Sequence, residues 1–138
     1  MQSRIALVGH GNVGAGLVRL LSEVDPKGRH FVFSGIATRK RGIISLANSP
    51  SSEVDARIHK SLAEHHASEL RPADAKEIID WLVASDYDVL VEAIDSNYVD
   101  GEPALSYIKA ALRRGKDVVT ANKAPIALSL KELSIIAA

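Results

Sequence analysis

Hydrophobic positions fall alternately into short runs and helical stripes along the chain. Ile5, Ala6, Leu7 and Val8 form an apolar run that breaks at Gly9, the pattern of a first strand. Val13, Leu17, Leu20, Leu21 and Val24 then recur at helical spacing and predict one buried helix face. Asp25, Pro26, Lys27 and Gly28 predict a turn, and Phe31 to Ala37 (FVFSGIA) a second strand with Gly35 as a point of close packing. A basic stretch follows: Thr38, Arg39, Lys40, Arg41 and Gly42. From Ile43 to Arg71 the pattern is least legible. Ile43, Ile44, Leu46 and Ala47 predict a short helix, Ser49 to Ser52 a loop, and Val54, Ile58 and Leu62 a broken helical stripe running toward Leu70.

Periodicity sharpens again at Asp74, which with Glu77 forms a capping pair. The helix it opens turns Ile78, Ile79, Leu82 and Val83 inward, with Lys76 and Trp81 outward or toward a neighbouring element. Asp88 to Ile94 (DVLVEAI) is a near-continuous apolar run, expected of a third strand buried on both faces. A loop from Asp95 to Gly101 leads to a helix from about Glu102 to Arg114, with Pro103 in its first turn and Gly115 past its end. Leu105, Ile108 and Leu112 form its buried stripe. Lys116 to Ala121 (KDVVTA) is a fourth strand, and Ser129 with Glu132 a capping box for a last helix.

Strands alternating with helices specify an α/β fold of Rossmann type, a doubly wound parallel sheet. Right-handed crossovers put the second strand on one side of the first and the later two on the other. The reversal of order opens a crevice at the carboxyl ends of the first and third strands. Residues 1–138 are expected to form one dinucleotide-binding domain. No other stretch supplies a substrate pocket, so the fold reads as truncated before its catalytic half.

Composition narrows the classes. Lysine plus arginine equals aspartate plus glutamate at 17 each, so net charge is zero. That argues against a general binder of nucleic acid or membrane surfaces. Absence of cysteine excludes disulfides, thiolate catalysis and zinc–cysteine sites. With no signal-type leader and no run of membrane-span length, a cytoplasmic protein is expected. His65 and His66, beside Glu64 and Ser68, are adjacent on a helical pattern and point apart, which favours a solvated face over a metal site.

The candidate chemistry begins at RIALVGHGNVGAGLVRLL, Arg4 to Leu21: strand, glycine turn, helix. Gly9 permits the tight turn, Gly11 lets backbone approach a pyrophosphate, and Gly14 lets the helix pack closely. Asn12 and Val13 complete the turn, and the helix N-terminus offers free N–H groups to the phosphates. A turn that merely packs a helix on a sheet would read similarly. The loops Asp95 to Asn97 and Thr120 to Lys123 converge on the same edge, with Ala93, Ile94, Asp95, Ser96, Thr120, Asn122 and Lys123 as candidate cofactor contacts. Where an NAD site usually carries an acid, the second strand ends in Thr38, followed by Arg39, Lys40 and Arg41. Guanidinium groups bind a 2′-phosphate, so NADP is the expected preference with Arg39 leading, and NAD is possible. A solvated basic loop is the other reading of this run.

From Asp88 to Leu128, DVLVEAIDSNYVDGEPALSYIKAALRRGKDVVTANKAPIAL resembles homoserine dehydrogenases, and VVTANKAP, Val118 to Pro125, is its most specific piece. The GHGNVG turn resembles the family's amino-terminal domain. Ile94 and Asp95 stand where the family often has threonine and proline, and Ala124 where it often has glycine. The resemblance implies the NAD(P)-binding part of an enzyme interconverting L-homoserine and L-aspartate 4-semialdehyde, on which threonine, methionine and isoleucine synthesis depends. It implies that Lys123 is catalytic, near nicotinamide and substrate, and that the whole enzyme is a homodimer. A related amino-acid dehydrogenase and a stand-alone nucleotide-sensing module are the alternatives.

Overall fold

The computed structural model describes residues 1–64 and 72–138. Its elements are β1 (Ser3–Val8), α1 (Asn12–Val24), β2 (Phe31–Thr38), β3 (Gly42–Ser49), α2 (Ser51–Glu64), α3 (Ala75–Ala84), β4 (Val89–Glu92), α4 (Ala104–Arg113), β5 (Asp117–Thr120) and α5 (Lys123–Ala137). They build a five-stranded sheet in the order β3-β2-β1-β4-β5. Every pairing is parallel except β2 with β3. The reversal of strand order beside β1 is present as expected.

Ile43 to Ala47 is not a short helix but part of an antiparallel edge strand, so the sheet has five strands instead of four and is mixed at that edge. Thr38 pairs with Gly42, which makes Arg39, Lys40 and Arg41 the loop of a hairpin, closed by Gly42 at φ 77. With that register set, Ile44 and Leu46 go inward and Ser45 and Ala47 outward, a period of two that the apolar spacing alone did not reveal. Ser49 ends this strand and Ser51 begins α2, so little of the expected loop remains. Helix α2 buries Val54 and Ile58 as expected and half-buries Leu62. His65, His66 and Ser68 lie outside the described residues.

The sheet carries a core on each face. Ile5 and Leu7 point to α1 and α2 together with Phe33, Ile36, Ile44 and Leu46. Ala6 and Val8 point the other way, to α3 and α4, with Ala37, Ile78, Leu82, Leu90 and Tyr107. Phe33 and Ile36 share a face although three positions apart, because a bulge shifts the β1–β2 register at Ser34. The Ser34 hydroxyl donates to the Ile5 carbonyl there at 3.0 Å.

Helix α1 is rotated from the expected face. Gly14, Val18 and Leu21 are buried and Leu17 is half-buried, whereas Val13, Leu20 and Val24 are all more than half exposed. The rotation follows from Gly14, whose missing side chain makes that face the one of closest approach. Asp74 and Glu77 do form a reciprocal capping box at α3. Ile78 and Leu82 are buried and Ile79 packs at the margin, but Val83 is exposed. Trp81 turns toward β2 and covers Gly35, which bears out the close packing expected there. Strand β4 is shorter than the apolar run that announced it. Leu105 and Ile108 of α4 are buried with Leu112 beside them. Helix α5 begins at Lys123, six residues before the expected cap. Ser129 marks a kink in it (φ −140°, ψ 21°), and Glu132 pairs with Lys109 of α4 at 2.7 Å. No helix among the described residues is long and apolar enough to cross a membrane.

Candidate functional site at the carboxyl edge of the sheet

Parallel pairing runs one residue past the ends of β1, β4 and β5 and brings their exit loops beside that of β2. Gly9 N–H donates to the Ala37 carbonyl at 2.9 Å, Ala93 N–H to Val8 at 2.8 Å, and Ala121 N–H to Glu92 at 3.0 Å. Residues 9–14, 38–41, 93–96 and 120–123 therefore share one edge.

The three glycines behave differently. Gly9 has φ 98°, and a Cβ there would lie 2.5 Å from the Ala93 carbonyl oxygen. A Cβ on Gly14 would lie 2.2 Å from the Gly9 carbonyl oxygen, so α1 packs against its own turn as much as against β1. A Cβ on Gly11 would meet nothing within 4 Å. Two glycines are thus required by the protein's own packing, while the third leaves open space in front of exposed backbone. Behind that space α1 starts without a side-chain cap or an acidic residue in its first turn. By contrast, α3 has a full capping box and the Asn122 side chain accepts from Ala124 N–H at α5. Uncapped N–H groups at a helix start, reached over a glycine with room beside it, fit a pyrophosphate.

Across the crevice, Asn122 joins the other loops. Its Oδ1 accepts from the Ser96 hydroxyl at 2.9 Å, and its amide nitrogen donates to the carbonyls of Ile94 (3.5 Å) and Asp95 (3.4 Å). Asn122 is buried, whereas Asp95, Ser96 and Lys123 are exposed and Ala93, Ile94 and Thr120 are intermediate. Lys123 is the first residue of α5. A cation at a helix N-terminus is electrostatically unfavourable, by about 0.3–1 kcal/mol, so helix stability does not explain its position.

On the β2 side, the Thr38 hydroxyl accepts from Arg41 N–H at 2.9 Å and shapes the hairpin loop. Arg39 and Lys40 are exposed on it, as are Asn12 and Val13 on the opposite lip.

Sequence reasoning missed two residues here. His10 lies between Gly9 and Gly11 and lines a small cavity with Ile36, Thr38, Arg41, Gly42, Ile44 and Ile58. Its Nε2 is buried without a hydrogen-bond partner among the described residues. Burial holds the imidazole pKa below its ordinary value and Arg41 adds to this, against an opposing pull from Asp55. The second is Glu92, a fully buried carboxylate at the end of β4. It accepts from Ile94 N–H at 2.9 Å and from the Thr120 hydroxyl. Its signal was visible as the acid that interrupts the apolar residues of DVLVEAI after Asp88. Among the described residues no group of three or more His, Cys, Asp or Glu could hold a metal ion.

Residues 9–138 match the family described as homoserine dehydrogenase, NAD-binding domain. The chain belongs to this family. It is 33% identical over 150 residues to the NAD(+)-dependent homoserine dehydrogenase of Pseudomonas canavaninivorans, covering 97% of this chain and 39% of that one. A putative homoserine dehydrogenase of Archaeoglobus fulgidus superimposes with TM-score 0.67 at 32% identity, over 99% of this chain and 39% of that one. A hyperthermophilic archaeal homoserine dehydrogenase in complex with NADPH gives 0.72 at 25%, over 99% and 41%. The chain spans less than two-fifths of the length of the curated homoserine dehydrogenases from Sulfurisphaera tokodaii (36%) and P. canavaninivorans (39%). The resemblance drawn from Asp88 to Leu128 is thus borne out, and with it a nicotinamide-dinucleotide-binding domain of Rossmann-like fold.

Proposed function

We propose that residues 1–138 are the cofactor half of an oxidoreductase interconverting L-homoserine and L-aspartate 4-semialdehyde, with the dinucleotide laid across the carboxyl edge of the sheet. The observation that carries this reading is the convergence of the uncapped glycine turn with the Asn122–Lys123 loop across one crevice. Gly11, Asn12, Val13 and Gly14 hold the pyrophosphate through backbone N–H groups, and Gly9, whose own N–H is bonded to Ala37, makes the turn that presents them. Ala93, Ile94, Asp95, Ser96, Thr120 and Asn122 line the nicotinamide side. When bound, the dinucleotide supplies or accepts the hydride. The Lys123 ammonium donates to the substrate oxygen and stabilises the charge that develops on it, the catalytic task we assign to this residue. The remaining length of such an enzyme supplies the substrate pocket.

For the cofactor we propose a preference for NADP over NAD. Thr38 offers no carboxylate to repel a 2′-phosphate, and Arg39 and Lys40 stand exposed at the strand end to pair with it. Fluorescence titration with NADPH and NADH tests this. NADPH is expected to bind more tightly, and Arg39→Ala with Lys40→Ala to remove about tenfold or more of that difference, since each lost charge-assisted contact is worth 1.5–3 kcal/mol. NADH binding at least as tightly as NADPH would refute the preference.

A further inference from the structure

Glu92 is the only fully buried carboxylate among the described residues, yet it faces no basic partner there. Both of its oxygens are occupied from the cofactor edge: Oε1 by Ile94 N–H and Oε2 by the Thr120 hydroxyl. The Thr120 oxygen in turn accepts from Asn122 N–H at 3.0 Å. Asn122 then reaches Ser96, Ile94, Asp95 and Ala124. A single hydrogen-bonded chain therefore starts at Glu92, leaves β4, crosses to β5 and returns to the loop after β4.

The direction of these bonds matters. A carboxylate accepts twice, so Thr120 can donate its one proton to Glu92 and keep a lone pair for Asn122. Burying a charged group is unfavourable unless each oxygen is satisfied, and the two satisfying donors are backbone and side-chain groups of the proposed nicotinamide-side loops. Among the described residues, the adenosine-side loops, 9–14 and 38–41, make no hydrogen bond to this network.

We infer that Glu92 is a positioning residue for the nicotinamide half of the cofactor: acting through Thr120 and Asn122, it fixes the relative placement of the loops after β4 and β5. The inference rests on the dinucleotide reading above. It divides the crevice into a glycine half, set by backbone packing, and a nicotinamide half, set by one carboxylate.

The test is Glu92→Gln in the 138-residue chain. The amide keeps the shape but replaces one acceptor with a donor, so with its oxygen on Ile94 N–H the Thr120 hydroxyl proton loses the acceptor it has in Glu92. Affinities are measured for NADPH and for two fragments lacking the nicotinamide half, AMP and 2′,5′-ADP. NADPH binding is expected to weaken about tenfold, the size of one buried hydrogen bond left unmade, with fragment affinities unchanged within about twofold. Thr120→Val, which removes the hydroxyl that Glu92 accepts from, should weaken NADPH as Glu92→Gln does, and Thr120→Ser, which keeps it, should weaken NADPH less than Thr120→Val. A purely structural Glu92 would lower the melting temperature while leaving NADPH affinity intact, or weaken all three ligands equally; either overturns the inference. Failure of the unsubstituted chain to bind NADPH or NADH overturns the dinucleotide reading itself, a distinguishable result.

Discussion

Gly14→Ala and Gly16→Ala place the same methyl group two residues apart on α1, and the geometry assigns them opposite effects. At Gly16 a Cβ meets nothing within 4 Å, so the substitution contributes only the helix preference of alanine, a gain of about 0.5–1 kcal/mol. At Gly14 it would sit 2.2 Å from the Gly9 carbonyl oxygen and 3.0 Å from the carbonyl carbon. A comfortable C···O approach is about 3.3 Å, so roughly 1 Å of movement is needed. The obstacle is backbone, held by the Gly9 N–H bond to Ala37, and cannot swing aside. With a backbone atom as the obstacle, overpacking falls in the upper part of its usual range, about 2–3 kcal/mol, and after the propensity gain Gly14→Ala should lose about 1–2.5 kcal/mol. The two variants should therefore differ by about 2–3 kcal/mol, or about 1 M in urea midpoint at an m of 2–3 kcal/mol/M. Gly14→Ala should also lose NADPH binding, because relief of the clash moves the turn; Gly16→Ala should keep it. Equal stability of the two variants, or a Gly14→Ala protein as stable as the parent, would refute the packing argument.

Two further outcomes follow from packing and charge. Gly35→Ala would put a Cβ 2.7 Å from the Trp81 ring and 3.2 Å from the Ile44 carbonyl, so a loss of about 1–3 kcal/mol is expected in thermal or urea unfolding, partly recovered when Trp81→Leu is added. His10 is held below its ordinary pKa of 6.5 mainly by burial, so the unfolded chain takes up the proton first and stability should fall as pH drops below 6.5. Comparing unfolding at pH 7.5 and 5.5, His10→Phe should show a shallower loss than the parent; an identical loss in both would contradict this.

Much of the site was legible because its determinants are local. The break at Gly9, the helix behind it, and the Asp74–Glu77 cap each depend on neighbours within a few residues. The β3 hairpin was not, because Ile43, Ile44, Leu46 and Ala47 satisfy a helical spacing as well as an alternating one. Only pairing with β2, a contact between segments, decides between them. The face of α1 was misjudged for a related reason: exposed Val13, Leu20 and Val24 look like a stripe, but the bare backbone of Gly14 sets the contact. The early start of α5 had a signal in Asn122 as cap with Pro125 in the first turn, masked by reading the segment as loop. Glu92 shows the converse case, where a residue that breaks the apolar pattern of a strand is buried at the candidate site and bonded to its loops.

Bound as proposed, a nicotinamide dinucleotide lies across the carboxyl edge of the sheet, from the glycine turn to the Asn122–Lys123 loop. Amide chemical shifts of the isotope-labelled chain, followed during titration with NADPH, test it most directly. Saturable shifts concentrated in residues 9–14, 38–41, 93–96 and 120–123 are expected, with Gly28, Asp86 and Gly115 at the opposite edge unmoved. Absence of saturable shifts, or shifts centred on that opposite edge, would contradict the account.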